Sequence, residues 1–383
     1  MEVVKGMTII NVAVLTDFYF FSWSFQDFID ILDGYKWRNG LYNIRVKKLA
    51  WHDTIKDLKP EKFDVVIIPA ADTFLIYLKS LFSPTAAYKW KNTLNHFVKK
   101  GGGVVAHCAG ALLFCKLLNH PKTFSEILSN SERGKAFVLK TKLLWNISIP
   151  PFDQILSGNP GESAYVYYTG MNTTVSGEQT TGGIPIKVKI NRKHPIFRGY
   201  KNNFCLVRWI GGPALIPEKN SDVLAYFPDK KVFNGYRIHR WRFTCWRRYI
   251  KTVLGENLKF LKENKNPLDL PLGLAQTSWK QPCWEKTEEI IPLNIPNHPA
   301  MVAETYGRGR VVLSSFHSEK PIWDTTKTRL KEVDDNKGNL WDGVVYWENL
   351  TKDKMKRETD WMVRREVAWA SGKVPPEELP PIG

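Results

Sequence analysis

Three features of the chain predict an α/β fold with a mainly parallel sheet flanked by helices. Apolar runs alternate with segments of helical periodicity from residue 8 to about 118. One of those runs, 63–68, is unbroken, as in a strand covered on both faces. A third run leaves three glycines, Gly101 to Gly103, ends at Cys108 and passes at once into a helix-forming segment.

Taken in order, Thr8–Leu15 is a run of β-formers, and 24–32 places Phe25, Phe28, Ile29 and Leu32 at helical spacing behind a possible Ser24 cap. Tyr42–Leu49 alternates apolar and basic residues, as a half-exposed strand does. After the 63–68 strand, 75–82 and 86–99 read as helices, the second with Trp90, Leu94, Phe97 and Val98 on one face. Residues 120–201 change character: Pro150-Pro151, Gly158 to Gly161 and Gly182-Gly183 punctuate a Thr- and Tyr-rich stretch. Within it 165–169 and Ile184–Ile190 alternate as strands would, so the region reads as a β-rich insertion. Apolar runs return at 204–210 and 223–227, and 301–304 with 309–315 form a hairpin turning at Tyr306 to Gly309. A helix is expected over 352–370, ahead of a Pro-rich end. The organisation expected is an α/β domain over 1–330, with insertions near 120–200 and 229–300, and a charged, partly helical tail over 331–383.

Composition narrows the function classes. With 43% hydrophobic and 24% charged residues the chain is globular, and no segment is long enough to span a bilayer. The first apolar run follows Glu2 and stops before Asp17, which fits a core strand better than a secretory signal and points to the cytoplasm. Five cysteines, odd in number and without C-x-x-C spacing, suggest neither a disulfide framework nor a metal site. The net charge of +17 fits an anionic partner or a Lys-rich solvated surface. Residues 237–248 interleave Arg237, His239, Arg240, Arg242, Arg247 and Arg248 with Trp241, Phe243 and Trp246. Such interleaving can bind nucleic acid by phosphate contact and base stacking, or pack as an insertion held by its tryptophans.

Chemistry concentrates at Cys108. A strand that delivers a cysteine to the carboxyl edge of a sheet, with small residues Ala106, Ala109 and Gly110 around the turn, has the layout of a nucleophile elbow. A following helix start would lower the thiol pKa from about 8.5 toward roughly 3.5–7.5. The nucleophile needs a base and the base an orienter. His317 and Glu319, two apart at the end of the late hairpin, point the same way on a strand and supply both. An isolated His-x-Glu is a common surface pair, so it gains weight only from its place in this order of elements. Pro69, Ala70, Ala71 and Asp72 follow the 63–68 strand and lie near Cys108 if the sheet is parallel. They form an oxyanion-binding loop, or an ordinary turn in which Asp72 or Thr73 caps the next helix. Beside the nucleophile, His107 tunes the thiol, contacts substrate or is packed, and Cys115 reads as core.

The pieces Gly102 to Ala111, Trp209-Ile210-Gly211-Gly212-Pro213 with Val223 to Tyr226, and Tyr306 to Ser314 with His317 and Glu319, come in an order that resembles the class I glutamine amidotransferase-like superfamily. Within it, the likeness is to the amidotransferase-like domain found at the N-terminus of biotin-protein ligases and as free-standing prokaryotic proteins. The resemblance implies a flavodoxin-like, glutamine amidotransferase-like fold and a cysteine-dependent amidohydrolase or amidotransferase. Cys108 would be its nucleophile, His317 its general base and acid, and Glu319 the orienter of His317. Ala70, Ala71, Asp72, His107, Ala109, Gly110, Trp209, Gly211 and Gly212 would lie on the oxyanion and substrate side. A small-molecule amide is the implied substrate, with no cofactor, metal or membrane. The chain departs from the family's Pro-Gly-Gly at Pro69-Ala70-Ala71 and from its His-Pro-Glu at His317-Ser318-Glu319. The alanines hold the loop to φ < 0 more than glycines would, which moves the expectation away from glutamine itself. Residues 321–383 are too few for a ligase catalytic domain. The alternative from a different class is a non-catalytic ligand-binding or regulatory module on the same fold.

Overall fold

The computed structural model describes residues 6–16, 22–70, 84–112, 114–117, 163–165, 173–175, 178–180, 184–209, 212–217, 221–229, 237–243, 284–291, 295–323, 329–332, 345–348 and 355–383. Ten of its strands share one mixed sheet. In chain order they are β1 (Thr8–Leu15), β2 (Lys36–Trp37), β3 (Tyr42–Leu49), β4 (Val65–Ile68), β5 (Gly103–His107), β6 (Ile184–Ile190), β7 (Phe204–Trp209), β8 (Asp222–Tyr226), β9 (Pro299–Tyr306) and β10 (Gly309–Ser314). Across the sheet the order is β7-β6-β8-β9-β10-β5-β4-β1-β3-β2. The block β10-β5-β4-β1-β3 is parallel throughout. Numbered by their sequence within that block, its strands run 2-1-3-4-5, the flavodoxin-like order. Beyond β10 the sheet continues antiparallel through β9, β8, β6 and β7.

Helices cover both faces of the parallel block, as its unbroken apolar strands require. They are α1 (Ser22–Leu32), α2 (Trp51–Asp57), α3 (Pro84–Lys99), α4 (Ala109–Leu112) and α5 (Asp360–Ala370). The period of two along each strand divides the core. Ile10, Val12, Val14, Val65, Ile67, Val105 and Val312 face Phe28, Ile31 and Leu32 of α1 and Met362, Val363 and Val367 of α5. Ala13, Leu15, Val66, Ile68, Val104, Ala106, Val311 and Leu313 face Trp90, Leu94, Phe97 and Val98, the apolar stripe expected of α3. Full burial of each large aliphatic side chain contributes about 1.5–3 kcal/mol, so both layers are needed.

Helix α5 starts at Asp360, later than the expected 352, because Met355–Lys356 instead pairs with Ile322–Trp323 as a two-stranded ribbon. The Arg310 guanidinium donates to the Trp369 carbonyl at 2.9 Å and lies 5.1 Å from that ring's centre, fixing the end of α5 over β10. Arg365 donates to the carbonyls of Pro195, Ile196, Arg198 and Pro380. The Trp37 indole N–H donates to the Glu378 carbonyl at 2.9 Å, and the Tyr42 hydroxyl bonds the Glu378 carboxylate. These contacts bind the residues after α5 to β2 and β3.

The described residues of the intervening regions include further strands. Lys116–Leu117, Ser163–Tyr165 and Ala214–Ile216 form a three-stranded sheet, and Arg237–Phe243 pairs with Trp284–Ile291 in a six-stranded one. The helix expected at 75–82 and the strand residues 166–169 lie outside the described residues, as do 244–248. Among the described residues no helix is long and apolar enough to cross a membrane.

Candidate functional site

Strands β5 and β10 are adjacent and parallel, and their pairing ends with His107 opposite Ser314. Their carboxyl ends therefore open at one level, where open α/β sheets bind ligands. The next residue after β5 is Cys108, whose N–H donates to the Ser314 carbonyl at 2.6 Å. Its φ is +51°, in the left-handed region that an L-residue enters at a cost of roughly 1–2 kcal/mol. This turn lifts the cysteine off the strand before α4 begins at Ala109. Helix α4, Ala109–Leu112, starts directly after the cysteine.

Two glycines permit the close approaches that frame Cys108. A Cβ on Gly110 would lie 2.3 Å from the Ile68 carbonyl oxygen and 2.7 Å from that of Pro69, so the turn presses directly on the end of β4. Ala70, buried, follows there. A Cβ on Gly212 would lie 1.6 Å from the Ser315 carbonyl oxygen. Trp209, fully buried edge-on to Phe227, donates its indole N–H to the Gly212 carbonyl at 3.1 Å and holds that turn in place. Of the other expected substrate-side residues, Ala71, Asp72 and Gly211 lie outside the described residues.

The segment after β10 is pinned residue by residue. The Ser314 hydroxyl and the Phe316 backbone bond each other, Ser315 N–H donates to the Ala300 carbonyl, and His317 N–H donates to the Arg208 carbonyl at 2.8 Å. His317 thereby forms a bridge to the end of β7, with its ring 2% exposed. His317 Nδ1 lies 2.6 Å from Glu319 Oε1, inside the protein. An ionised carboxylate only accepts, so Nδ1 carries the proton and Nε2 keeps its lone pair. The structure thus brings His317 and Glu319 together in a hydrogen bond and sets both after the strand that adjoins Cys108.

Charges around the pair are buried too. The other Glu319 oxygen lies 2.8 Å from His107 Nδ1, and His107 Nε2 lies 2.7 Å from Glu366 Oε2. Burial alone would raise the Glu319 pKa, but the His317 charge and the hydrogen bonds from both histidines hold it well below the usual carboxylate range. Burial would depress His107, yet the Glu366 charge and the two carboxylate contacts outweigh it and push its pKa up to about 10. For His317 burial wins and lowers the pKa, with Glu319 opposing and the His107 and Lys320 charges adding to the depression. At neutral pH the His317 imidazole is therefore the uncharged form, which can accept a proton. Arg208 is buried and brought down to about 10 by desolvation, which Glu319 and Asp27 oppose. Lys320 pairs with Asp27 from α1.

Glu366 and Arg208 are absent from the residues expected from sequence. A signal for Glu366 is present: it shares a helical face with Met362, Val363 and Ala370, so a carboxylate sits on an apolar stripe. Arg208 gives no such signal, because one basic residue in a short strand is ordinary.

Fold and site together define a flavodoxin-like α/β protein with a cysteine on a left-handed turn at the carboxyl edge of its parallel block. No protein-family model matches the chain, and no curated protein matches it. Among solved structures it is similar to a thua-like protein from Parabacteroides merdae, at 10% identity over 98% of this chain and 96% of that one, with a TM-score of 0.35. A second thua-like protein, from Bacteroides uniformis, matches at 11% identity over 83% and 85% with a TM-score of 0.34. A glutamine amidotransferase from Thermotoga maritima matches at 11% identity over 70% and 90%, with a TM-score of 0.29. The fold assignment rests on the strand order itself.

Proposed function

We propose that the protein is a cysteine-dependent amidohydrolase or amidotransferase of the class I glutamine amidotransferase-like kind, acting in the cytoplasm on a small amide. The observation that carries the reading is a cysteine at positive φ after β5 with a hydrogen-bonded His317–Glu319 pair presented after the adjoining parallel strand. In the reaction His317 Nε2 takes the Cys108 thiol proton and the sulfur attacks the amide carbonyl carbon. His317 then protonates the leaving nitrogen, the C–N bond breaks, and a thioester remains. Water or an amine attacks the thioester, passes its proton to His317 and releases Cys108 as the thiol. Because the Cys108 N–H is engaged by Ser314, the oxyanion falls to the N–H of Ala109 and one from Ala70 or Ala71. The resemblance to the biotin-protein ligase N-terminal domain supplies no substrate, and Pro69-Ala70-Ala71 argues against glutamine.

Iodoacetamide labelling of the native protein tests the activation, with Cys108→Ala and His317→Ala as comparisons. Alkylation of Cys108 faster than a free thiol, slowed at least tenfold by His317→Ala, is expected. A Cys108 that reacts like a free thiol and is indifferent to His317 refutes the enzyme. A second reading, a ligand-binding module, is favoured by the burial of the charged groups around Glu319. A thioester trapped on Cys108 and seen by mass spectrometry would remove it. Nucleic-acid affinity through the basic segment 237–248 is a separate proposal supported by the +17 charge. It fails if no single- or double-stranded nucleic acid binds at low salt.

A further inference from the structure

We propose that His107, held in place by Glu366, is a positioning residue for Glu319, and that its charge sets how strongly Glu319 can stabilise a protonated His317. The proposal rests on the reading of Cys108, His317 and Glu319 as a triad.

Both ring nitrogens of His107 are held by carboxylates. A neutral imidazole has one N–H, but both His107 nitrogens face carboxylate oxygens, Glu319 Oε2 at 2.8 Å and Glu366 Oε2 at 2.7 Å. Were either nitrogen unprotonated, its lone pair would confront an oxygen lone pair unless that carboxyl took the proton. The His107 pKa, which burial would lower but the two carboxylates push up to about 10, keeps the proton on the ring. His107, Glu319 and Glu366 are each fully buried, and the Phe28 ring of α1 packs edge-on against His107 at 5.0 Å. His107 is therefore an imidazolium between two carboxylates. Burial also takes it out of direct substrate contact.

The chain closes this arrangement into a loop. Glu366 Oε1 accepts from the Ser318 hydroxyl at 3.2 Å, and the Ser318 carbonyl accepts from the Thr359 hydroxyl at 2.7 Å. Ser318 stands between His317 and Glu319, so α5 grips the segment both through His107 and directly. With both oxygens committed, Glu319 cannot rotate away from His317.

The same contacts restrict the charge available to His317. A protonated His317 would face the His107 imidazolium across a single carboxylate that already has a cationic partner. The other charged groups around the pair are Lys320 on the same segment, Asp27 on α1, Arg208 on β7 and Glu366 on α5. Lys320 pairs with Asp27, and His107 is a cation in hydrogen-bond contact with Glu319. The depressed pKa of His317 agrees with this arrangement.

The test is a histidine side-chain NMR titration of the full chain in a Cys108→Ala background, which removes coupling to the thiol. Adding His107→Gln preserves a donor to Glu319 but deletes the charge. The His317 midpoint should then rise by about one pH unit, a tenfold gain in proton affinity. Glu366→Gln, which lets Nε2 of His107 accept from an amide, should move it the same way and serves if His107→Gln does not fold. A His317 midpoint unmoved in every folded variant overturns the proposal, because a merely structural His107 would change stability and leave that titration in place. In the Cys108-containing protein, His317→Ala alkylating like wild type refutes the triad reading instead, so the two failures are distinguishable.

Discussion

Replacing His107 by Gln should flatten the dependence of stability on alkaline pH. The folded pKa of His107 is about 10 against 6.5 when unfolded. Because it is raised, its contribution is fully present below pH 6.5 and is lost as pH climbs through 10. Linkage over that interval gives several kcal/mol at pH 7, nearly all of it lost by pH 10. The assay is urea unfolding of both proteins at pH 7, 8.5 and 10, followed by circular dichroism and intrinsic fluorescence together. Glu319 does not enter this window, since its lowered pKa puts its loss of stability on the acid side. Arg208, brought down to about 10, and Cys205, pushed up to about 11, also titrate near its upper end, but they are common to both proteins and leave the difference between them to His107. The gap between wild type and His107→Gln should therefore narrow by several kcal/mol from pH 7 to pH 10. A gap that stays constant across the range refutes the buried imidazolium.

Gly212→Ala places a methyl 1.6 Å from the Ser315 carbonyl oxygen, so the backbone before His317 must move. It should destabilise by about 1–3 kcal/mol or more and slow Cys108 alkylation, read by thermal unfolding and labelling; wild-type values in both would contradict the close approach. Arg365→Ala removes hydrogen bonds to four carbonyls and should cost about 3–5 kcal/mol. Arg365→Lys should recover less than half of the loss, because an ammonium cannot reproduce the fork, and urea midpoints measure both. Cys108→Gly should be more stable than Cys108→Ala by roughly 1 kcal/mol in the same assay, since only glycine adopts φ near +51° without strain. Equal stabilities would show that the turn relaxes when the sulfur is removed.

Much of the fold was legible because the signals are local. Val65–Ile68 is apolar on every residue since both its faces are covered, and the Trp90, Leu94, Phe97 and Val98 stripe of α3 records the layer beneath it. Residues His317 and Glu319 were readable as a pair since they are two apart on one chain segment. By contrast, the partnership of Glu319 with His107 and Glu366 depends on strand order and on docking of α5, which no local pattern encodes. The later start of α5 has a similar origin: Met355–Lys356 favours a ribbon because Ile322–Trp323 is there to receive it. Gly212 carries meaning only once Ser315 is known to lie against it.

The His107–Glu366 contact joins residues 259 positions apart. At a synthesis rate of about 5–20 residues per second, His107 is made roughly 13–50 s before its second carboxylate exists. Until α5 is made, the face of the sheet that it will cover, with Val105 and later Val312 on it, lacks its lid, and of the two carboxylates that hold the His107 charge Glu319 alone is present. The centre around Cys108 is thus completed only after α5 has been translated. A growing chain would carry its cysteine in an unfinished setting until α5 arrives.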